Sequence, residues 1–206
     1  MHSNRLFLVR RGRGARVPDG TCRVLAERLR RAMRAAGLRG VELSVTLSDN
    51  RELHALNRTY AGEDHATDVL SFSQREAGEV PGALEGGSAR EALGDVIISV
   101  EYAARQAKGH GHALPGELFH LAVHGLVHLC GYDHRSKPEE RTMFGYEAAL
   151  RAAALERGVV RKVSAPRTGT ARPPSVSGRR LTDRPRGAHG KVARPRPTAR
   201  ARRLLR

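Results

Sequence analysis

A run of apolar residues over 118–130, among the longest in the chain, is interrupted by histidines four residues apart. Pro115 suits a first helical turn and Gly131 suits the position just past a last one, so a helix is predicted over Pro115–Gly131. On such a helix His124 and His128 project from one face, with Cβ atoms about 5–6 Å apart. The sequence therefore predicts a helix that presents two imidazole rings side by side.

That separation lets each ring give one nitrogen to the same zinc ion at about 2.0–2.1 Å. Gly131 can adopt the left-handed conformation that ends a helix and turns the chain back. His134 can then supply a third nitrogen, and a fourth position stays open for water, as in catalytic rather than structural zinc sites. We predict one zinc ion per chain on His124, His128 and His134, although nickel or copper would also accept three imidazoles.

Other histidines fit this site less well. His120 lies four residues before His124, but three ligands and an open position already account for the metal, so His120 is predicted to be structural or to neighbour a ligand. His110 and His112 are flanked by glycines and are predicted to lie on a solvent-exposed turn.

The spacing matches the metzincin protease signature H-E-x-x-H-x-x-G-x-x-H with one exception. In those proteases the residue after the first histidine is the glutamate that acts as general base, and here it is Gly125. Loss of a general base costs typically about 10²–10⁴-fold in rate. The sequence therefore favours a metal site without peptidase activity. A substrate with its own nucleophile, such as a phosphodiester beside a 2′-hydroxyl, needs less help.

Apolar periodicity predicts the remaining elements. Arg75–Leu93, rich in glycine, is predicted to be a mobile surface loop. An N-cap cluster at Ser48, Asp49 and Asn50, with Glu52 after it, predicts the start of a short helix. The predicted strands are Val41–Leu47, Val69–Ser73 and Val96–Val100, and the other predicted helices are Cys22–Ala36, Glu101–Lys108, Pro115–Gly131 and Pro138–Glu156.

Charge divides the chain into a body and a tail. Residues 161–206 contain 15 basic residues and one acidic residue, whereas residues 1–160 contain 22 and 20. The tail also holds six of the ten prolines and no aromatic residue, so it is predicted to be disordered. It would attract polyanions such as RNA through counterion release. An accidental extension that binds any acidic surface weakly is an equally open interpretation.

Several classes of protein are excluded. No apolar run approaches the about 18 residues of a membrane span. The N-terminal apolar segment Leu6–Val9 is shorter than a signal-peptide core. The two cysteines, Cys22 and Cys130, lie far apart in sequence, which excludes a disulfide scaffold and favours a reducing cytoplasm.

Three blocks of sequence resemble one known family. His124–His134 resembles the H-G-x-x-H-x-x-G-Y-D-H signature of the YbeY family of bacterial metallo-endoribonucleases. Leu56–Tyr60 followed by Thr67–Phe72 is similar to its L-N-x-x-Y…T-D-V-L-S-F block. Leu93–Ser99 is similar to its L-G-D-I-x-I-S strand. The blocks occur in the family's order, and the resemblance covers about Val41 to Glu156.

The resemblance implies an α+β fold with a small mixed sheet flanked by helices, and zinc held by His124, His128 and His134. It also implies a single-strand-specific endoribonuclease that matures the 3′ end of 16S rRNA and takes part in ribosome quality control. The chain departs from the family at Ala61, where an arginine is usual. Arg58 could reach a similar place if its segment is helical.

Two other functions stay open. Ala61 favours a non-catalytic RNA-binding factor of ribosome biogenesis with a structural zinc site. A zinc peptidase is disfavoured by Gly125. Asp133 is a candidate partner of the site or proton acceptor, but no catalytic residue is assigned. The cleavage site, the attacking group and the oligomeric state are not predicted.

Overall fold

The computed structural model describes residues 3–12, 16–74, 91–156 and 158–166, together with the backbone of 191–192. It confirms the predicted α+β fold, in which helices flank a mixed sheet. The elements are, in chain order, β1 (Arg5–Arg10), α1 (Asp19–Ala35), β2 (Val41–Ser48), α2 (Asn50–Ala61), β3 (Val69–Ser73), β4 (Glu91–Ser99), α3 (Val100–Gly109), α4 (Leu114–Leu129), α5 (Lys137–Leu155) and β5 (Lys191–Val192).

The strand order in the sheet is β1-β2-β4-β3-β5. Strands β1, β2 and β4 run parallel to one another. Strand β3 is antiparallel to β4, and the two residues of β5 pair with β3 in parallel. The sheet is therefore mixed, as predicted, with its antiparallel pair on the side of β3.

The two faces of the sheet carry different helices. Leu70, Phe72 and Ile97 pack with Leu53 of α2 in a small cluster. Side chains alternate along a strand, so the neighbouring Ser71 and Val96 point to the other face. There they approach the backbone of α4, which belongs to the larger core with α1 and α5. Helices α2 and α4 therefore lie on opposite faces.

Local signals set most element ends. The carboxylate of Asp49 accepts from the backbone N–H of Glu52, which confirms the predicted cap of α2. The hydroxyl of Ser99 accepts from the N–H of Tyr102 and caps α3. Strand β4 therefore ends at Ser99, and the prediction that it included Val100 is wrong by one residue. It also begins earlier than predicted.

Strand β1 is not among the predicted elements. Leu6 is its one buried side chain, and Phe7 and Val9 are exposed on this edge strand of the sheet. An edge strand with one buried residue shows too little apolar alternation for a sequence-based prediction. The predicted loop falls outside the described residues except for 91–93, which belong to β4.

Residues 158–166 lie against the body. The N–H of Val163 donates to the carbonyl oxygen of Ala35 at 2.8 Å, and Val163 packs on the core. The hydroxyl of Tyr132 donates to the carbonyl oxygen of Pro166 at 3.1 Å. The described structure thus continues six residues past the predicted boundary at Val160. The tail beyond Pro166 lies outside the described residues apart from β5, so its predicted disorder stays a prediction. None of the described helices is long and apolar enough to cross a membrane.

Candidate metal centre

Helix α4 and the turn after it bring the three predicted ligands together. His124 and His128 are buried, and His134 is half-buried. The ring centroids of His124 and His128 are 4.7 Å apart. The ring centroid of His134 lies 5.8 Å from that of His124 and 5.2 Å from that of His128. One ligand atom of each ring lies within 4.8 Å of the others. The three histidines could therefore hold one metal ion.

Hydrogen bonds fix the tautomers of the two buried rings. Nδ1 of His128 lies 2.9 Å from the carbonyl oxygen of Tyr132, which can only accept, so Nδ1 carries the proton. Nδ1 of His124 donates in the same way to Oε2 of Glu147 at 3.0 Å. In neutral rings both Nε2 atoms then bear lone pairs, and these atoms face each other at 3.1 Å.

Two facing lone pairs at this distance repel unless a cation lies between them. Burial, together with the charges of His124 and His134, lowers the pKa of His128 to about 3, so the ring stays neutral at neutral pH. A neutral ring is the form that binds a metal. Nitrogens bound to one tetrahedral zinc at 2.0–2.1 Å are separated by about 3.3 Å, close to the observed spacing. The donors therefore fit a divalent transition metal such as zinc.

The turn that carries His134 is shaped by two residues. Gly131 has a φ of 94°, the left-handed conformation predicted for it. Oδ1 of Asp133 accepts from the backbone N–H of His134 at 2.9 Å, and Oδ2 pairs with Nε of Arg135 at 2.7 Å. Both carboxylate oxygens of Asp133 thus take part in the turn, which favours a role in placing His134.

Glu147 of α5 is a site residue that is not among those predicted. Its carboxylate is buried and contacts His124, and its Oε1 lies 3.0 Å from Nε2 of His120. Burial raises the pKa of Glu147, but hydrogen bonds from His120 and His124 outweigh burial and lower it to about 2. An ionised carboxylate behind a ligand histidine orients the ring and strengthens the ligand.

The sequence does hold a signal for Glu147. It lies four residues after Met143 and three before Leu150, both fully buried, so it occupies the apolar face of α5. A glutamate on such a face needs a cationic or hydrogen-bonding partner in the core. The identity of that partner depends on how α5 packs on α4, which the spacing along α5 does not reveal. His120 provides one of the contacts and lies outside the ligand group.

Gly125 is required by the packing of α4 on the sheet. A Cβ at this position would lie 2.7 Å from Cγ1 of Val96 and 2.9 Å from Oγ of Ser71. A side chain there would require the side chains of Val96 and Ser71, or the backbone of α4, to shift. The close approach of helix and sheet thus explains why the residue after the first ligand cannot be the glutamate of a metzincin.

Phe144 lies beside two of the three histidines, whereas Arg58 has no described contact with them. Phe144 of α5 is 39 % exposed, and its ring centroid lies 6.3 Å from that of His124 and 6.0 Å from that of His134. Arg58 is exposed on α2. Its segment is helical, which is the condition for Arg58 to take the place of the arginine that is usual at position 61. However, α2 lies on the opposite face of the sheet from α4. Among the described residues, no hydrogen bond or ion pair joins Arg58 to the three histidines.

A mixed sheet with three converging histidines on a buried helix and its turn defines an α+β protein whose histidines could hold a metal ion. The family model of Endoribonuclease YbeY matches residues 16–154. The chain therefore belongs to the YbeY family, and the resemblance stated from its sequence blocks is confirmed.

Two relatives named endoribonuclease YbeY are similar to the chain over most of their own length. The chain is 46 % identical to the endoribonuclease YbeY of Geobacillus kaustophilus over 113 residues, 55 % of this chain and 72 % of the relative. It is 42 % identical to that of Bacillus licheniformis over 130 residues, 63 % and 82 % of the two chains. A solution structure from Thermotoga maritima is 23 % identical with a TM-score of 0.45, and the match covers 71 % of this chain and 89 % of that one.

Proposed function

We propose that this protein is a zinc-dependent endoribonuclease that cleaves single-stranded RNA and acts in 16S rRNA 3′-end maturation and ribosome quality control. Membership of the YbeY family supports RNA cleavage. The observation that carries the metal dependence is the pair of Nε2 atoms of His124 and His128, which face each other at 3.1 Å while both Nδ1 atoms are engaged elsewhere. Both rings are thereby prepared for one shared cation.

The three histidines, Glu147 and Gly125 each have a different role in the proposed activity. His124, His128 and His134 would hold the metal, which when bound can polarise a phosphoryl oxygen or lower the pKa of a coordinated water. Glu147 keeps the Nδ1 proton on His124, so that Nε2 is the atom that faces the site. Gly125 provides no base, so the proton acceptor differs from that of a metzincin.

Selectivity for single strands is supported by Phe144. Its half-exposed ring lies beside two of the metal ligands, where an unpaired base could stack on it. Bases in single strands are free to stack on aromatic side chains, whereas bases in a duplex are already stacked and paired. A duplex would therefore gain little from this contact.

The second candidate is a non-catalytic RNA-binding factor in which zinc is structural. Ala61 supports it, because a methyl group cannot clamp a phosphate as an arginine does. The position of α2 on the face opposite α4 adds support, since the suggested replacement Arg58 has no described contact with the metal ligands.

Cleavage of a labelled single-stranded RNA separates the two candidates. The purified protein with zinc is compared with His128→Ala, with a chelator-treated sample and with a duplex of the same sequence. The endoribonuclease predicts cleavage of the single strand that is lost on removal of zinc or of His128. Binding of RNA by the folded protein without cleavage would favour the second candidate. The ends of the products identify the attacking group, because attack by the 2′-hydroxyl leaves a cyclic phosphate.

We further propose a cytoplasmic location and contact of the basic tail with ribosomal RNA. Phosphate contacts fix position without reading bases. A chain truncated after Pro166 keeps the contacts of Val163 and Pro166 with the body. It is expected to bind RNA more weakly and with a flatter dependence on salt. An unchanged salt dependence would exclude the tail from RNA binding.

A further inference from the structure

A second group of potential metal ligands lies where α3 meets α4. His110, His112 and Glu117 each offer a ligand atom, and these atoms lie within 4.8 Å of one another. The turn between the helices is well defined: Gly111 has a φ of 69°, and the backbone N–H of His112 donates to the carbonyl oxygen of Ala107 at 3.0 Å. The chain therefore returns His112 to the first turn of α4, where Glu117 lies.

Glu117 is the unusual member of this group. Its side chain is 2 % exposed, yet His110 and His112 beside it are exposed. The ion pairs of Glu117 among the described residues are both with histidines: Nε2 of His112, and Nδ1 of His120 at 3.7 Å. Neither partner is an arginine or a lysine, so among the described residues no permanently charged cation faces the carboxylate of Glu117. Burial of such an anion is costly unless a cation neutralises it.

We propose that His110, His112 and Glu117 form a second binding site for a divalent transition metal such as zinc. Two imidazoles and one carboxylate are a ligand set that zinc accepts, with a further position left for water. The ion would neutralise Glu117, and the exposed rings of His110 and His112 can turn towards it. The two rings are tilted by 34° to each other, and their centroids are 5.5 Å apart.

The proposed site is connected to the first one by side chains. Oε1 of Glu117 lies 3.7 Å from Nδ1 of His120, and Nε2 of His120 lies 3.0 Å from Oε1 of Glu147. Glu147 in turn binds His124. A metal on Glu117 would thus hold one end of a chain of side chains whose other end is a ligand of the first metal. The second site stands independently of the proposed nuclease activity.

The test counts zinc ions bound per chain. The full-length protein is stripped with a chelator, dialysed against zinc in excess Mg²⁺ and analysed for metal. Wild type is expected to bind one ion more than the double variant His110→Gln/His112→Gln, whose changes are on the surface and should leave the fold intact. His54→Gln is the matched control, because His54 is also exposed and pairs with a carboxylate, Asp64. It is expected to bind as many ions as wild type.

A second variant separates the two sites. His128→Gln is expected to lose the first ion and keep the second. The triple variant His110→Gln/His112→Gln/His128→Gln is expected to lose both. Equal zinc content in wild type and the double variant would overturn the proposal. Loss of the same amount of zinc in His54→Gln would also overturn it, because the binding would then belong to exposed histidines in general. Cobalt(II) absorption, which reports coordinated imidazole and carboxylate, provides an independent readout on the same samples.

Discussion

Two groups of histidines lie at the two ends of α4, and they differ in burial and in hydrogen bonding. Towards the C-terminal end, His124 and His128 are buried. Each Nδ1 donates a hydrogen bond, to the carboxylate of Glu147 or to the carbonyl oxygen of Tyr132. At the N-terminal end, His110 and His112 are exposed and only Glu117 is buried. Exposed side chains lose rotamer freedom when they bind, whereas buried rings have already lost it. The first group should therefore bind a metal more tightly.

Removal of zinc should give the largest effect and tests this difference directly. At free zinc about 1,000 times the dissociation constant, binding adds about 4 kcal/mol to the free energy of unfolding. Addition of a chelator should remove this stabilisation from wild type. His128→Ala should respond far less, because the tight site is gone, whereas the double variant of His110 and His112 should keep most of the response. Urea unfolding with and without chelator measures it.

The comparison is wrong if the double variant loses more zinc-dependent stability than His128→Ala. A response of similar size in both variants would mean that burial of the rings contributes little to affinity.

Substitutions of glycine test the packing at the two ends of α4. A Cβ at Gly125 would collide with Val96 and Ser71, whereas a Cβ at Gly116 meets nothing within 4 Å. Gly125→Ala is therefore expected to lower the free energy of unfolding by about 1–3 kcal/mol through overpacking. Gly116→Ala is expected to raise it by up to about 1 kcal/mol through helix propensity. Denaturant unfolding of both variants measures the contrast, and equal effects would contradict the close approach at Gly125.

The convergence of His124, His128 and His134 could be predicted because its information is local, whereas their role as metal ligands stays a prediction. Two histidines four apart on a helix, followed by a glycine with positive φ, suffice to bring His124, His128 and His134 together. The fold class followed from the resemblance, and apolar periodicity predicted most of the individual elements. The element ends were also mostly local, since caps such as Asp49 lie within three residues of their partners.

What the sequence did not predict depends on contacts between distant segments. Glu147 lies 23 residues from His124, and their contact requires α5 to pack against α4. The position of Arg58 depends on which face of the sheet α2 covers, and that is set by contacts of α2 with β3 and β4. Strand β1 depends on pairing with β2, 37 residues away in register. Composition alone contains no such information.

Glu147→Gln tests whether the hydrogen bond from Nδ1 of His124 to Glu147 contributes to metal affinity at the first group. Loss of the carboxylate behind a ligand histidine typically costs about 10–100-fold in metal affinity. We expect a loss of that size at the first site, with the second ion retained. Competition with a chelating dye measures the affinity, and Glu140→Gln on the exposed surface of the same helix is the control. Unchanged affinity would limit Glu147 to a structural role.

Phe144→Ala should give the smallest effect. It tests whether RNA binds beside the first group of histidines. Stacking of one base on an aromatic ring is worth about 1–3 kcal/mol. Because this ring is only partly exposed, we expect the low end, roughly fivefold in KM for single-stranded RNA. Phe7→Ala is the matched control, since Phe7 is similarly exposed. It lies on β1, which β2 separates from the strands β4 and β3 that pack on α4. Phe144→Tyr should retain binding, because it keeps an aromatic face beside His124 and His134. An equal loss with Phe7→Ala would mean that general surface contacts, and not a stack beside the metal, hold the strand.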